Sequence, residues 1–151
     1  MSVLLTGATG FLGMEVLVRL LDQSDTEIVA LVRAPDRAAA ARRMDTVLAQ
    51  LYENPAARGL AGRILALPGD VSSPELGLSA EDRRTLVGRT TSIVHCAASI
   101  SFDLPLEEAR AINTVGTRRL LAMAGELTGL RRVVHVSTAY VGGRHPGTFG
   151  E

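Results

Sequence analysis

Val3-Leu4-Leu5-Thr6-Gly7-Ala8-Thr9-Gly10-Phe11-Leu12-Gly13 opens the chain with an apolar run, a glycine turn and the start of an amphipathic helix. A short run of apolar residues this close to a turn reads as a buried parallel strand. The glycines fall at the first, fourth and seventh positions of the turn, and Val16, Leu17, Leu20 and Leu21 continue with helical spacing. Strand, glycine turn and helix together place a diphosphate on a helix N-terminus. Gly7 suits the tight turn, Gly10 leaves room for the phosphates, and Gly13 lets helix and strand pack closely.

The same stretch excludes a P-loop, which needs a lysine directly after its last glycine. Met14 stands there, and all sixteen basic residues of the chain are arginine. No G-x-S-x-G elbow occurs, so a serine hydrolase reading is poor.

Composition narrows the class further. With 151 residues, the chain is expected to form one domain over residues 1–151. A domain of that size buries about 70% of its unfolded surface. Hydrophobic residues make up 46% and formal net charge is zero. That balance gives no long-range attraction to nucleic acid or to an anionic membrane. There is no Trp, and three Phe and two Tyr make a poor base-stacking platform. Cys96 is the single cysteine, which rules out an intrachain disulfide and a cysteine-based zinc site, and no metal centre is expected. No run approaches the roughly 20 apolar residues of a membrane span, and no signal-peptide pattern precedes the first strand. A cytoplasmic location is the expectation.

Outward from the glycine turn, strand and helix alternate. Strands are predicted over Ser2–Thr6, Glu27–Val32, Arg63–Leu67, Thr91–Cys96 and Arg131–Val136. Helices are predicted over Phe11–Gln23, Asp36–Tyr52 and Pro105–Leu127, with a shorter one opening at Ser79. Five strands with helical crossovers imply a doubly wound parallel sheet, a Rossmann fold of order 3-2-1-4-5 with helices on both faces, cut off after the fifth strand.

Candidate site residues lie at the carboxyl ends of these strands. Arg33 follows the second strand, where an acidic residue would hold the ribose 2′-hydroxyl of NAD and an arginine would take the 2′-phosphate of NADP. Guanidinium can grip that phosphate bidentately, so NADP(H) is the expected cofactor. Asp70 and Val71 follow the third strand, placed to meet adenine; a loop cap is an equal reading of Asp70. Ala97 and Ala98 follow the fourth strand and are small enough for close approach by a ligand. His95 and Cys96 read as packed strand residues. Asn113 sits inside the long helix, where a buried amide needs backbone or water partners near the site; solvent exposure is the alternative. Ser137 and Thr138 place hydroxyls at the end of the fifth strand, facing the crevice.

Taken together, TGATGFLG, LVRA, GDV, HCAASISF, the Asn113 helix and HVSTAYVGG resemble extended short-chain dehydrogenase/reductases. GDVSSPELGLS, HCAASISFDLPLEEARAINTVGT and VSTAYVGG narrow the resemblance. They are similar to the branch of fatty acyl-CoA reductases (male-sterility type) and the thioester reductase domains of carboxylic acid reductases and nonribosomal peptide synthetases. The resemblance spans essentially the whole chain. It implies hydride transfer from NADPH to an acyl thioester, on coenzyme A or a carrier protein, giving aldehyde or alcohol. It also implies diphosphate contacts from Thr9, Gly10, Phe11 and Leu12, a 2′-phosphate contact from Arg33, and adenine contacts from Asp70 and Val71. Ala97 and Ala98 would line the ribose and nicotinamide path. Thr138, with Ser137 beside it, would be the catalytic hydroxyl.

One departure stands out. The family's general acid is the tyrosine of a Tyr-x-x-x-Lys pair, and this chain has no lysine. Tyr140 and Arg144 have the spacing but fall about two dozen residues too early, and arginine cannot release its proton. The chain is therefore expected to be the N-terminal portion of a longer reductase, inactive alone. Its fifth strand would be a bare edge inviting self-association. A sugar-nucleotide epimerase or dehydratase and a non-catalytic NADP-binding sensor are the competing readings.

Overall fold

The structure, a computed structural model, describes residues 2–56, 58–138, 143 and 146–148. Its five strands are β1 (Ser2–Thr6), β2 (Glu27–Val32), β3 (Ile64–Pro68), β4 (Ser92–His95) and β5 (Arg132–His135). They form one sheet in the order β3-β2-β1-β4-β5. Every pairing is parallel, with Leu4 opposite Val29 and Ile93, and His95 opposite His135. This is the doubly wound order expected from the alternation of elements.

Neighbouring strand residues feed two different cores, because side chains alternate across a strand. Leu4, Val29, Leu31, Leu67 and Ile93 face one side. Leu5, Ile28, Ala30 and Val32 face the other. The second core is closed by α1 (Phe11–Gln23) and α2 (Arg37–Leu51), through Leu17, Leu21, Met44 and Leu48. The first is closed by α3 (Ala80–Arg89) and α5 (Thr117–Ala124), through Leu86, Leu120 and Met123. A sheet covered on both faces explains why its strands read as unbroken apolar runs. Each fully buried leucine contributes roughly 1.5–3 kcal/mol relative to exposure.

The boundaries differ from the sequence expectation where polar groups intervene. Asp36 is the N-cap of α2 and accepts from the Ala39 N–H at 2.7 Å, so the helix proper starts at Arg37. Ser79 caps α3 in the same way, accepting from the Asp82 N–H at 3.0 Å. Arg63 does not begin β3. It closes a 3₁₀ turn (Leu60–Arg63), and its guanidinium donates to the carbonyls of Leu21 at 2.8 Å, Thr26 at 3.2 Å and Ser24. Those contacts satisfy carbonyls at the C-terminus of α1, where a cation is favoured.

The long helix expected over Pro105–Leu127 is divided. It runs as α4 (Leu106–Arg110), a π-helical segment (Ala111–Gly116) and α5, and ends at Ala124. At its middle the helix meets the loop after β3. A Cβ on Gly116 would lie 3.1–3.2 Å from Val71, a tight contact that Val71 would have to yield to, so glycine eases that approach. Periodicity alone cannot show such a shift in winding. Leu127 is buried although it lies beyond the helix.

Candidate nucleotide site

The glycine turn between β1 and α1 is held by packing at two of its glycines. Gly7 adopts φ +75°, and a Cβ there would meet Ala97 N and Cys96 C at 2.8 Å. Gly13 faces back onto the turn, where a Cβ would lie 1.9 Å from the Gly7 carbonyl oxygen. The Gly10 N–H donates to the Gly7 carbonyl at 2.9 Å, and the Met14 N–H donates to the Gly10 carbonyl at 2.9 Å.

Gly10 differs from both. Its φ of −94° and ψ of 165° suit any residue, and a Cβ would meet only the Gly7 oxygen, at 3.4 Å. Protein packing therefore does not require glycine there. Gly10 is the N-cap of the thirteen-residue helix α1 and gives it no side-chain cap. The N–H groups of the first turn, at Phe11, Leu12 and Gly13, have no intrahelical acceptors. A bare cap in front of a capless helix fits a ligand diphosphate.

That helix start opens on a cleft of about 580 Å³ along the carboxyl ends of β1 to β4. Such a volume is in the range of small-molecule and cofactor sites. Thr6, Gly7, Thr9 and Gly10 line it from β1 and the turn, and Leu31 and Arg33 from β2. Gly69, Asp70, Val71 and Ser72 line it from the loop after β3; Cys96, Ala97, Ala98 and Ser99 line it from the loop after β4. Thus Gly7, Thr9, Gly10, Arg33, Asp70, Val71, Ala97 and Ala98 are brought together.

The remaining candidates lie outside that lining. Gly13 is buried behind the turn, while the Phe11 and Leu12 side chains are exposed. Ser137 and Thr138 are exposed and follow β5. Just before them, the Val136 N–H donates to the His95 carbonyl at 3.0 Å, so the chain continues beside the end of β4. Tyr140 and Arg144 lie outside the described residues.

Charges are arranged unequally. Arg33 is exposed at the mouth, and among the described residues no acidic side chain pairs with it. Arg37 is engaged elsewhere: its Nε donates to the buried Asp82 at 2.6 Å, and it also pairs with Glu81. Asp70 Oδ1 accepts from the Ser72 N–H at 2.8 Å and the Ser72 hydroxyl at 2.7 Å. Asp70 therefore caps its own loop and also lines the cleft. Burial raises the Cys96 thiol above its ordinary value, the opposite of what a thiolate nucleophile needs.

Asn113 sits in the π-helical segment and is not part of the lining. Its Oδ1 accepts from the Ser99 N–H at 2.8 Å and its Nδ2 donates to the Ser99 carbonyl at 3.0 Å. It holds the backbone strip after β4. Behind that strip, buried His95 contacts Thr6 Oγ1 at 2.6 Å and Thr117 Oγ1 at 3.1 Å. Sequence reasoning missed Thr6 and Thr117. The available signal was a hydroxyl and an imidazole in two otherwise apolar strands destined to pair. Among the described residues no three His, Cys, Asp or Glu side chains cluster as a metal site.

The family model described as Male sterility protein, an NAD-binding domain, matches residues 5–151. The chain belongs to this family. It is 37% identical over 147 residues to fatty acyl-CoA reductase 1 of Homo sapiens, covering 92% of this chain and 28% of that protein. Among solved structures it is similar to the terminal R domain from the myxalamid PKS-NRPS biosynthetic pathway. There the identity is 35% and the TM-score 0.80, covering 93% of this chain and 35% of that one. The reductase (R) domain of a non-ribosomal peptide synthetase from Mycobacterium tuberculosis matches at 34% identity and a TM-score of 0.78, covering 95% of this chain and 34% of that one. The chain thus spans less than a third of the length of the curated relatives it matches. Among the described residues, no helix of this family member is long and apolar enough to cross a membrane.

Proposed function

We propose that the chain is the NADP(H)-binding portion of a reductase that transfers hydride to an acyl thioester, on coenzyme A or a carrier protein. The observation carrying the cofactor half is the capless N-terminus of α1 behind Gly10, opening on the cleft that Arg33 enters. The thioester half is supported by the relatives, whose names describe fatty acyl-CoA reductases and synthetase reductase domains. They also favour this reading over a sugar-nucleotide enzyme or a sensor.

In this reading the first-turn N–H groups of α1 hold the diphosphate and Arg33 holds the 2′-phosphate. Asp70 and Val71 meet the adenine. Ala97 and Ala98 leave room for the nicotinamide half. The bound cofactor supplies the hydride. Thr138, with Ser137 beside it, hydrogen-bonds the substrate carbonyl oxygen as negative charge develops on it. A chain without lysine cannot supply the Tyr-x-x-x-Lys acid, so we assign the proton donor to residues outside it. This segment by itself then binds cofactor without turnover.

Calorimetric titration of the chain with NADPH and NADH tests the cofactor half, with tighter NADPH binding expected. Equal affinities would overturn the Arg33 assignment. Aldehyde or alcohol formation from a long-chain acyl-CoA and NADPH by the whole protein tests the rest; no product from either a coenzyme A or a carrier-bound thioester would overturn it.

A further inference from the structure

Hydrogen-bond counting fixes the order of protons behind the cleft. The Thr117 hydroxyl donates to the Asn113 carbonyl at 2.8 Å, which uses its single proton. It must therefore accept from His95 Nε2–H, at 3.1 Å. A neutral ring protonated on Nε2 leaves Nδ1 as an acceptor, so the Thr6 hydroxyl donates to it at 2.6 Å. Thr6 Oγ1 in turn accepts from the Ala97 N–H at 3.2 Å. One directed chain thus runs from Ala97 through Thr6, His95 and Thr117 to the backbone carbonyl of Asn113, and the side-chain amide of that same residue separately grips Ser99. The Ala97 end of the strip 97–99 is tied to the imidazole through Thr6, and the Ser99 end is held by the residue whose backbone carbonyl Thr117 caps.

We propose that His95 is a positioning residue for the cofactor: fixed as the Nε2–H tautomer, it pins the strip 97–99 along which the nicotinamide half lies. The proposal rests on the nucleotide reading of the cleft. Sheet order supplies the division of labour. Arg33 and Asp70 follow β2 and β3, on one side of β1, whereas the strip follows β4 on the other. The adenosine end therefore belongs to the first pair and the nicotinamide end to the strip. His95 lies behind the strip, 2% exposed, and does not itself line the cleft.

Replacing a fully buried ring risks the fold, so the test is built on Thr117, which does not line the cleft. Thr117→Val removes the hydroxyl at nearly constant shape; Thr117→Ser keeps it. NADPH affinity of Thr117→Val is expected to fall about fivefold to tenfold, the range of one or two lost hydrogen bonds. Binding of 2′-phospho-ADP-ribose, which lacks nicotinamide, should change less than about twofold, and Thr117→Ser should restore NADPH binding. Imidazole ¹⁵N shifts of the unsubstituted chain should report the neutral Nε2–H form. Amide exchange at Ala97 and Ser99 should accelerate in Thr117→Val alone. Equal losses for both ligands, unchanged NADPH affinity, unchanged exchange, or an Nδ1–H ring would each overturn the proposal. If the unsubstituted chain bound neither ligand, the nucleotide reading would fail, and exchange and tautomer alone would decide the pinning.

Discussion

Gly13 lies so close to Gly7 that a Cβ on Gly13 would sit 1.9 Å from the Gly7 carbonyl oxygen, whereas a Cβ on Gly10 has open space beyond one 3.4 Å contact. The two glycines therefore serve different ends. Gly13→Ala should destabilise the fold by about 1–3 kcal/mol, as forced overpacking does. For a chain of this size that lowers Tm by roughly 2–4 °C per kcal/mol. Gly10→Val should melt near the parent temperature yet lose NADPH binding, because its side chain fills the diphosphate space. Thermal melts and NADPH titration of both variants check the split; normal NADPH binding by Gly10→Val would place the phosphates elsewhere.

Arg33 and Arg37 offer a matched comparison. Arg37 is committed to Asp82 and Glu81, while Arg33 has no acidic partner among the described residues. Arg33→Ala should cost about 1.5–3 kcal/mol of NADPH binding, the worth of a charge-assisted contact, and leave NADH binding nearly unchanged. Arg37→Ala should lower stability and spare the NADPH preference. Parallel titrations with the two cofactors measure both effects.

Burial, and secondly the stacked His135 ring 5.2 Å away, lower the His95 pKa to about 4. The unfolded chain takes up that proton near 6.5, so between pH 6.5 and 4 the unfolded state binds more protons. The stabilisation is complete above pH 6.5 and is lost as pH falls toward 4. It is on the order of 3 kcal/mol. Urea unfolding at pH 7 and pH 5 should show this loss, and a folded His95→Gln variant should show a smaller one. An unchanged slope in that variant would assign the pH dependence to other groups.

Much of this architecture was legible because local signals agreed. The apolar run before Gly7, the helical spacing after Gly13 and the caps at Asp36 and Ser79 each specify an element without reference to the rest. Arg33, Asp70 and Ala97 could be placed because a doubly wound sheet gathers the ends of its strands. What escaped depends on contacts distant in sequence. Thr6, His95 and Thr117 form one network only after β1 and β4 pair, and polarity in a strand does not name its partner. The π-helical segment ends at Gly116, which packs against Val71, forty-five positions away in sequence. Arg63 closes a helix from the far side of α2, so its charge gave no local hint of that role.

β5 is the outermost strand of the sheet opposite β3, and all four of its residues are exposed. Val133 and Val134 are 38% and 43% exposed there. Its pairing to β4 uses one side of the backbone, and among the described residues no strand pairs with the other side, whose N–H and C=O groups pair readily with a second strand. The chain is therefore expected to self-associate through this edge. Light scattering over a concentration series should give an average mass above that of one chain. A charge on an edge strand opposes such pairing. Val134→Lys should therefore shift the mass toward the monomer while leaving NADPH affinity within about twofold, since β5 stands apart from the cleft lining. A monomer at every concentration would mean that this edge does not pair, and an unchanged mass in Val134→Lys would place the contact on another surface.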